Sequence, residues 1–154
     1  MIEQYDTFLD SKTIKAQPVG FNVDEIDDSL FPFQVAAVRW ALRKGRAALF
    51  EDCGLGKTLQ QLEWARRVND FDGGNILILA PLCVARQTKG EADKFGFSAT
   101  LCRSQSDVKP GINLTNYEML RHFNPKHFAG IVLDESSILK DFEGKTRTAI
   151  IEQF

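Results

Sequence analysis

The sequence has few of the residues that disulfide frameworks, metal centres and membrane spans require. Its 154 residues include three cysteines and two histidines. The cysteines stand far apart without paired spacing, which argues against a disulfide framework or a zinc site and favours a reducing, cytoplasmic compartment. The longest apolar stretch, Ile76 to Ala85, is interrupted by Pro81 and is too short to cross a bilayer. The N-terminus is acidic rather than apolar, so we expect no signal peptide and no membrane partner.

An excess of charge of one sign is also missing. The net charge is −2, with 44% apolar and 26% charged residues. This balance is typical of a globular domain with a real core. It gives the whole chain no electrostatic attraction to nucleic acid, although a single groove can still be basic.

Strand and helix patterns alternate along most of the chain. The predicted strands are Ala47–Phe50, Ile76–Ala80, Thr100–Arg103, Ile112–Thr115 and Ile131–Leu133. Predicted helices run from Pro32 to Gly45 and over Lys57–Val68, Val84–Phe95, Tyr117–Phe123 and Arg147–Phe154. Such alternation indicates an α/β fold in three layers, with a mostly parallel sheet between helices. We predict an N-terminal extension over residues 1–28 and this domain over residues 29–154.

A glycine-rich turn between a predicted strand and a predicted helix is the clearest functional signal. The segment Glu51–Thr58 follows Ala47–Phe50 and leads into the helix, an order typical of a nucleotide triphosphate site. Glycines let the backbone N–H groups approach phosphates, Lys57 supplies a charge to the β- and γ-phosphates, and the Thr58 hydroxyl can bind Mg²⁺. The strict pattern has glycine where this chain has Glu51. The predicted nucleotide contacts of the turn are Glu51, Asp52, Cys53, Gly54, Leu55, Gly56, Lys57 and Thr58.

Two consecutive carboxylates complete the predicted chemistry. Asp134 and Glu135 follow the apolar run Ile131–Leu133, which predicts a buried strand that ends at the edge of a site. Asp134 is the predicted second ligand of the Mg²⁺ ion that bridges the phosphates. Glu135 is predicted to orient or deprotonate the attacking water. We assign the catalytic roles to Lys57, Asp134 and Glu135.

Five short motifs in order resemble the first motor domain of superfamily-two helicases and translocases. They are Phe31-Pro32-Phe33-Gln34, Asp52-Cys53-Gly54-Leu55-Gly56-Lys57-Thr58, Ala80-Pro81-Leu82, Thr115-Asn116-Tyr117-Glu118 and Asp134-Glu135-Ser136-Ser137. The second is similar to the Swi/Snf-type branch, and helicases of phage or prophage type have the strongest resemblance. That branch also has acidic residues at the position of Glu51. The resemblance implies a RecA-like P-loop fold, ATP and Mg²⁺ as cofactors, and a bacterial or phage-infected host cell.

The resemblance also implies roles for residues outside the turn. Gln34 would bind the adenine edge, and Phe33 or Phe31 would pack near the base. Arg86, Gln87 and Thr115 would contact the backbone of a nucleic acid, which we expect to be DNA rather than RNA. Ser137 departs from the family, which more often has histidine there.

Three functions remain open from the sequence. The first is the ATP-binding half of a DNA helicase or translocase, weak or inactive without the second RecA-like domain that the family has and this sequence lacks. The second is a non-catalytic nucleotide- or DNA-binding module, or an inactive fragment that needs a partner domain. The third is a small P-loop phosphotransferase, for which we find no lid-like segment.

Overall fold

The computed structural model describes residues 17–135 and 144–153. Within these ranges, four helices and four strands follow in the order α1 (Pro32–Lys44), α2 (Lys57–Asp72), β1 (Asn75–Ala80), α3 (Leu82–Lys94), β2 (Ala99–Leu101), β3 (Ile112–Asn116), β4 (Phe128–Leu133) and α4 (Lys145–Gln153). The connections between these elements contain short 3₁₀ helices at Gln105–Asp107, Tyr117–His122 and Pro125–His127.

The four strands form one parallel sheet in the order β2-β3-β1-β4. β1 is therefore central, which agrees with its uninterrupted apolar sequence and its buried residues from Ile76 to Ala80. β4 lies at the edge and is only partly buried. Because successive strand residues point to opposite faces, Ile76 and Ile78 join one core cluster and Leu77 and Leu79 the other.

The two core clusters produce the three expected layers. One joins the sheet to α1, α2 and α3, and the other joins it to the 3₁₀ helix at Tyr117–His122 and to α4. Gly130 of β4 lies against α2, where an added Cβ atom would come within 3.1 Å of the Trp64 ring. The predicted α/β fold with a parallel sheet is confirmed.

The segment before α1 packs onto the domain. The N–H groups of Val19, Gly20 and Phe21 donate to the carbonyls of Lys44, Arg43 and Leu42, which lie in the last turn of α1. These are carbonyls that a helix end leaves without partners of its own. A Cβ atom on Gly20 would lie 1.8 Å from the Leu42 oxygen, so only glycine fits this approach.

A buried carboxylate fastens the same segment to α2. Glu63 is fully buried and accepts hydrogen bonds from the Asp27 N–H at 3.0 Å and from Arg67 Nε at 2.8 Å. Arg66 Nη2 lies 2.5 Å from Glu63 Oε2 without hydrogen-bond alignment, so the two groups form a charge pair. The same guanidinium reaches Asp27 at 3.0 Å. The boundary that the sequence predicts after residue 28 remains a prediction, with residues 1–16 outside the described part.

One predicted strand is wrong. Residues 47–50 form no strand, and all four are exposed, Phe50 to 96%. A strand needs a partner for its backbone groups, and β4 at this edge of the sheet pairs with β1 alone among the described residues. Strand pairing within residues 17–135 and 144–153 therefore does not explain the apolar character of Ala47–Phe50.

Candidate nucleotide site

The glycine-rich turn ends in a helix N-terminus that is open to an anion. Gly54 and Gly56 have left-handed φ angles of 81° and 71°, and α2 begins at Lys57. No side chain in the described part of the chain caps this end, and its first turn contains no acidic residue. A Cβ atom on Gly56 would lie 2.4 Å from Gln34 Nε2, so a larger residue here would displace the buried Gln34 amide. Unpaired N–H groups and the positive end of the helix dipole make this position suitable for phosphate.

The Lys57 side chain folds back over the turn. Its Nζ donates to the carbonyl oxygens of Glu51 at 3.0 Å and Asp52 at 2.9 Å. The ammonium thus lies among the residues that the sequence assigns to the phosphates. Glu51 is held in turn by Gln60, whose Nε2 donates to the Glu51 carboxylate at 2.7 Å. Glu51 at the first-glycine position therefore has a structural partner on α2.

An apolar cavity of about 340 Å³ adjoins the turn. It is lined by Phe31, Phe33, Gln34, Gly54, Leu55, Gly56 and Leu59. The rings of Phe31 and Phe33 are almost parallel, 8° apart in plane and 6.2 Å between centroids, and both are exposed. A cavity of this size with exposed aromatic faces is suitable for a flat ring such as a nucleobase.

Gln34 connects this cavity to the turn rather than projecting into solvent. Its side chain is 2% exposed. Oε1 accepts from the Phe31 N–H and Nε2 donates to the Leu55 carbonyl, both at 2.8 Å. An adenine contact would have to use the second amide hydrogen or the second lone pair of this group, because the amide carries two donors and two acceptor sites.

Asp134 is hydrogen-bonded to α2, the helix that follows the glycine-rich turn. Its N–H donates to the Leu79 carbonyl at 2.8 Å, which keeps Asp134 at the carboxyl end of the sheet. Gln61 Nε2 donates to Asp134 Oδ1 at 2.8 Å. Gln61 follows Thr58 by three residues, so both side chains lie on one face of α2. Gln61 belongs to none of the sequence motifs, although its spacing from Thr58 on a predicted helix indicates this shared face.

The backbone at the carboxylate pair is unusual. Glu135 is exposed and has a φ of 54°, and it is the one residue other than glycine with a positive φ in the described ranges. The Tyr117 hydroxyl donates to the Asp134 carbonyl at 2.6 Å. Burial, and then the nearby Asp134 and Glu135 carboxylates, raise the pKa of Tyr117 well above its usual range, so its hydroxyl stays a donor.

The residues present fit a magnesium ion held largely by phosphate. Thr58 and Asp134 offer oxygen atoms, which Mg²⁺ prefers. Among the described residues, no group of three or more histidine, cysteine, aspartate or glutamate side chains could form a metal cage. A few protein oxygens completed by phosphates and water are the usual arrangement for Mg²⁺ at nucleotides.

The nucleic-acid candidates are divided between surface and core. Arg86 and Gln87 are exposed on α3, which begins directly after β1. Thr115 is 2% exposed, and its hydroxyl is buried without a hydrogen-bond partner among the described residues. A direct contact between Thr115 and a nucleic acid therefore requires movement of the groups that cover it. Ser136 and Ser137 lie outside the described residues. No helix in the part of the chain that the structure describes is long and apolar enough to span a membrane.

No protein-family model matches the chain. It is 32% identical over 151 residues to the SWI/SNF-related matrix-associated actin-dependent regulator of chromatin subfamily A-like protein 1 homolog of Caenorhabditis elegans, which covers 86% of this chain. The chain spans 21% of the length of that relative.

Two solved structures share the fold. The Sulfolobus solfataricus SWI2/SNF2 ATPase core in complex with dsDNA has a TM-score of 0.69 and 25% identity, and the match covers 86% of this chain and 32% of that one. The UvsW helicase from Bacteriophage T4 has a TM-score of 0.65 and 20% identity over 99% of this chain and 56% of that one, which shows the fold alone. The sheet is thus RecA-like, as the resemblance implied. Sequence and fold together place the chain among the Swi/Snf-type helicase domains of superfamily two.

Proposed function

We propose that this chain is the ATP-binding half of a DNA helicase or translocase, which hydrolyses ATP to move along nucleic acid. The observation that carries the proposal is the hydrogen bond from Gln61 to Asp134. This bond joins the Asp134 carboxylate, the candidate metal ligand, to the face of α2 that also carries Thr58, within one helical turn of the glycine-rich segment.

Each residue then has a role that its position supports. The uncapped N–H groups of α2 and the Lys57 ammonium bind the phosphates, after Lys57 exchanges the carbonyls of Glu51 and Asp52 for phosphate oxygens. Phe31 and Phe33 pack against the base. Mg²⁺, when bound to Thr58 and Asp134, supplies positive charge that stabilises the transferring phosphoryl group.

Glu135 orients the attacking water and accepts its proton. The exposure of this carboxylate leaves it accessible to a water molecule. An arginine supplied by another domain accelerates phosphoryl transfer by about 10³–10⁵ in other P-loop enzymes, and we assign that part to a second RecA-like domain. Arg86, Gln87 and, after movement of the groups that cover it, Thr115 would contact DNA. The proposed setting is the cytoplasm of a bacterium or a phage-infected cell.

The test is ATP turnover with Mg²⁺, with and without DNA, by the chain alone and mixed with a polypeptide that carries a second RecA-like domain of this branch. Lys57→Ala removes the phosphate-binding charge, and Lys126→Ala, at an exposed lysine outside the turn, is the control. We expect DNA-stimulated turnover in the mixture, lost in Lys57→Ala and kept in Lys126→Ala. DNA binding without turnover in any mixture would instead identify a non-catalytic binding module.

A further inference from the structure

Tyr117 is hydrogen-bonded to the backbone that connects Asp134 and Glu135. The residue is 5% exposed and begins the 3₁₀ helix that follows β3. Its hydroxyl donates to the Asp134 carbonyl at 2.6 Å, near the short end of the range for O–H···O hydrogen bonds. The ring packs in the cluster that contains Leu77 and Leu79 of β1, so the position of the hydroxyl is set by the core.

That carbonyl belongs to the peptide that leads into Glu135. The left-handed φ of 54° brings the Cβ atom of an ordinary residue close to backbone oxygen, and such a conformation persists when surrounding contacts determine it. The Asp134 N–H, bound to the Leu79 carbonyl, fixes one end of Asp134. The Tyr117 hydroxyl fixes the carbonyl at the other end of Asp134. Rotation of the peptide between Asp134 and Glu135 would change the φ angle of Glu135.

We propose that Tyr117 is a positioning residue for the carboxylate pair. By holding the Asp134–Glu135 peptide, its hydroxyl keeps Asp134 aimed at Gln61 and the Thr58 face, and keeps Glu135 in the left-handed conformation. The inference rests on the proposed function for the metal and water roles of the pair. The hydrogen bond that carries it joins residues 17 positions apart in the sequence.

The test uses Tyr117→Phe, which removes the hydroxyl and keeps the ring. The matched control is Cys102→Ala, which removes a buried hydrogen-bonding group from the same cluster without touching Asp134. The first measurement is amide hydrogen exchange of Asp134 without nucleotide, with the Leu77 amide of β1 as an internal reference. We expect exchange at Asp134 to rise about fivefold in Tyr117→Phe, since one hydrogen bond is lost, and to stay unchanged in Cys102→Ala.

The second measurement is ATP affinity with and without Mg²⁺. Partners that orient a metal ligand typically contribute tenfold or more to metal affinity, so Tyr117→Phe should lose about tenfold of the gain that Mg²⁺ gives. Its affinity without Mg²⁺ should match the wild type, because Lys57 and the turn are untouched.

The outcomes separate the two proposals. An unchanged exchange rate at Asp134, or an equal loss of ATP affinity with and without Mg²⁺, would overturn the positioning role of Tyr117. Faster exchange together with a wild-type chain that binds no ATP would instead overturn the proposed function, and the metal role of the pair with it.

Discussion

Removal of the Glu63 carboxylate should destabilise the domain more than any surface charge change. Glu63 is fully buried and contacts Arg66, Arg67 and the Asp27 N–H. Breaking a buried ion pair from one side costs about 3–5 kcal/mol, because the partner charges are left uncompensated. Arg66 and Arg67 are 32% and 20% exposed and can regain water, so we place Glu63→Ala at the lower end, about 3 kcal/mol.

Equilibrium unfolding in urea, followed by circular dichroism, measures this loss. With a slope of about 2 kcal/mol/M, the midpoint should fall by roughly 1.5 M. Asp70→Ala is the matched control, because Asp70 lies on the same helix, pairs with the same Arg67 at 3.9 Å and is 58% exposed. An exposed pair contributes about 0–1 kcal/mol, so this variant should barely shift the midpoint. A Glu63→Ala loss below about 1 kcal/mol, or equal to that of Asp70→Ala, would refute the argument.

Three further predictions concern the turn and the core. Alkylation of Cys53 in a Cys83→Ser background should block ATP binding sterically. Alkylation of Cys83 in a Cys53→Ser background is the control and should leave ATP binding unchanged, since both thiols are exposed and only Cys53 lies in the turn. An unchanged ATP affinity after complete modification of Cys53 would contradict this prediction. Gly56→Ala should abolish ATP binding, measured by equilibrium dialysis. The new Cβ atom would lie 2.4 Å from Gln34 Nε2, and the φ of 71° disfavours alanine. Gly90→Ala on α3 is the control, because its Cβ atom would meet no described atom within 4 Å. Burial raises the pKa of the Cys102 thiol from 9.0 to about 11. The thiol should therefore leave the unfolding free energy unchanged below pH 9 and lower it between pH 9 and 11, where only the unfolded state has lost the proton. Cys102→Ala should reduce this fall in stability between pH 9 and 11, and a pH profile identical to that of the wild type would contradict the prediction.

Local sequence signals predicted most of the fold. β1 and the helices begin or end within a few residues of the predicted bounds, because apolar periodicity, Pro32 and Gly45 act over single turns. Tyr117–Phe123 was expected as a short helix and is a 3₁₀ helix at Tyr117–His122. The strand at Ala47–Phe50 was wrong, since four apolar residues carry no information about whether a neighbouring strand is present.

The local geometry of the candidate site was predictable from the sequence, whereas the contacts that connect its parts were not. The turn at Glu51–Thr58 depends on glycine geometry and on the helix that follows it, and both are local. The contact between Gln61 and Asp134 joins residues 73 positions apart, and no pattern in either segment specifies it. The left-handed backbone of Glu135 has no sequence signature either, because glycine and asparagine are the usual residues in that conformation.

The packing of Trp64 on Gly130 gives the domain an intrinsic optical probe. The indole of Trp64 contacts the edge strand that leads to the carboxylates, whereas Trp40 on α1 is 37% exposed. Acrylamide should quench Trp40 emission first, so the emission that resists quenching reports on Trp64. Loosening of β4 would then be recorded as a red shift and faster quenching of that protected fraction, without any label on the protein.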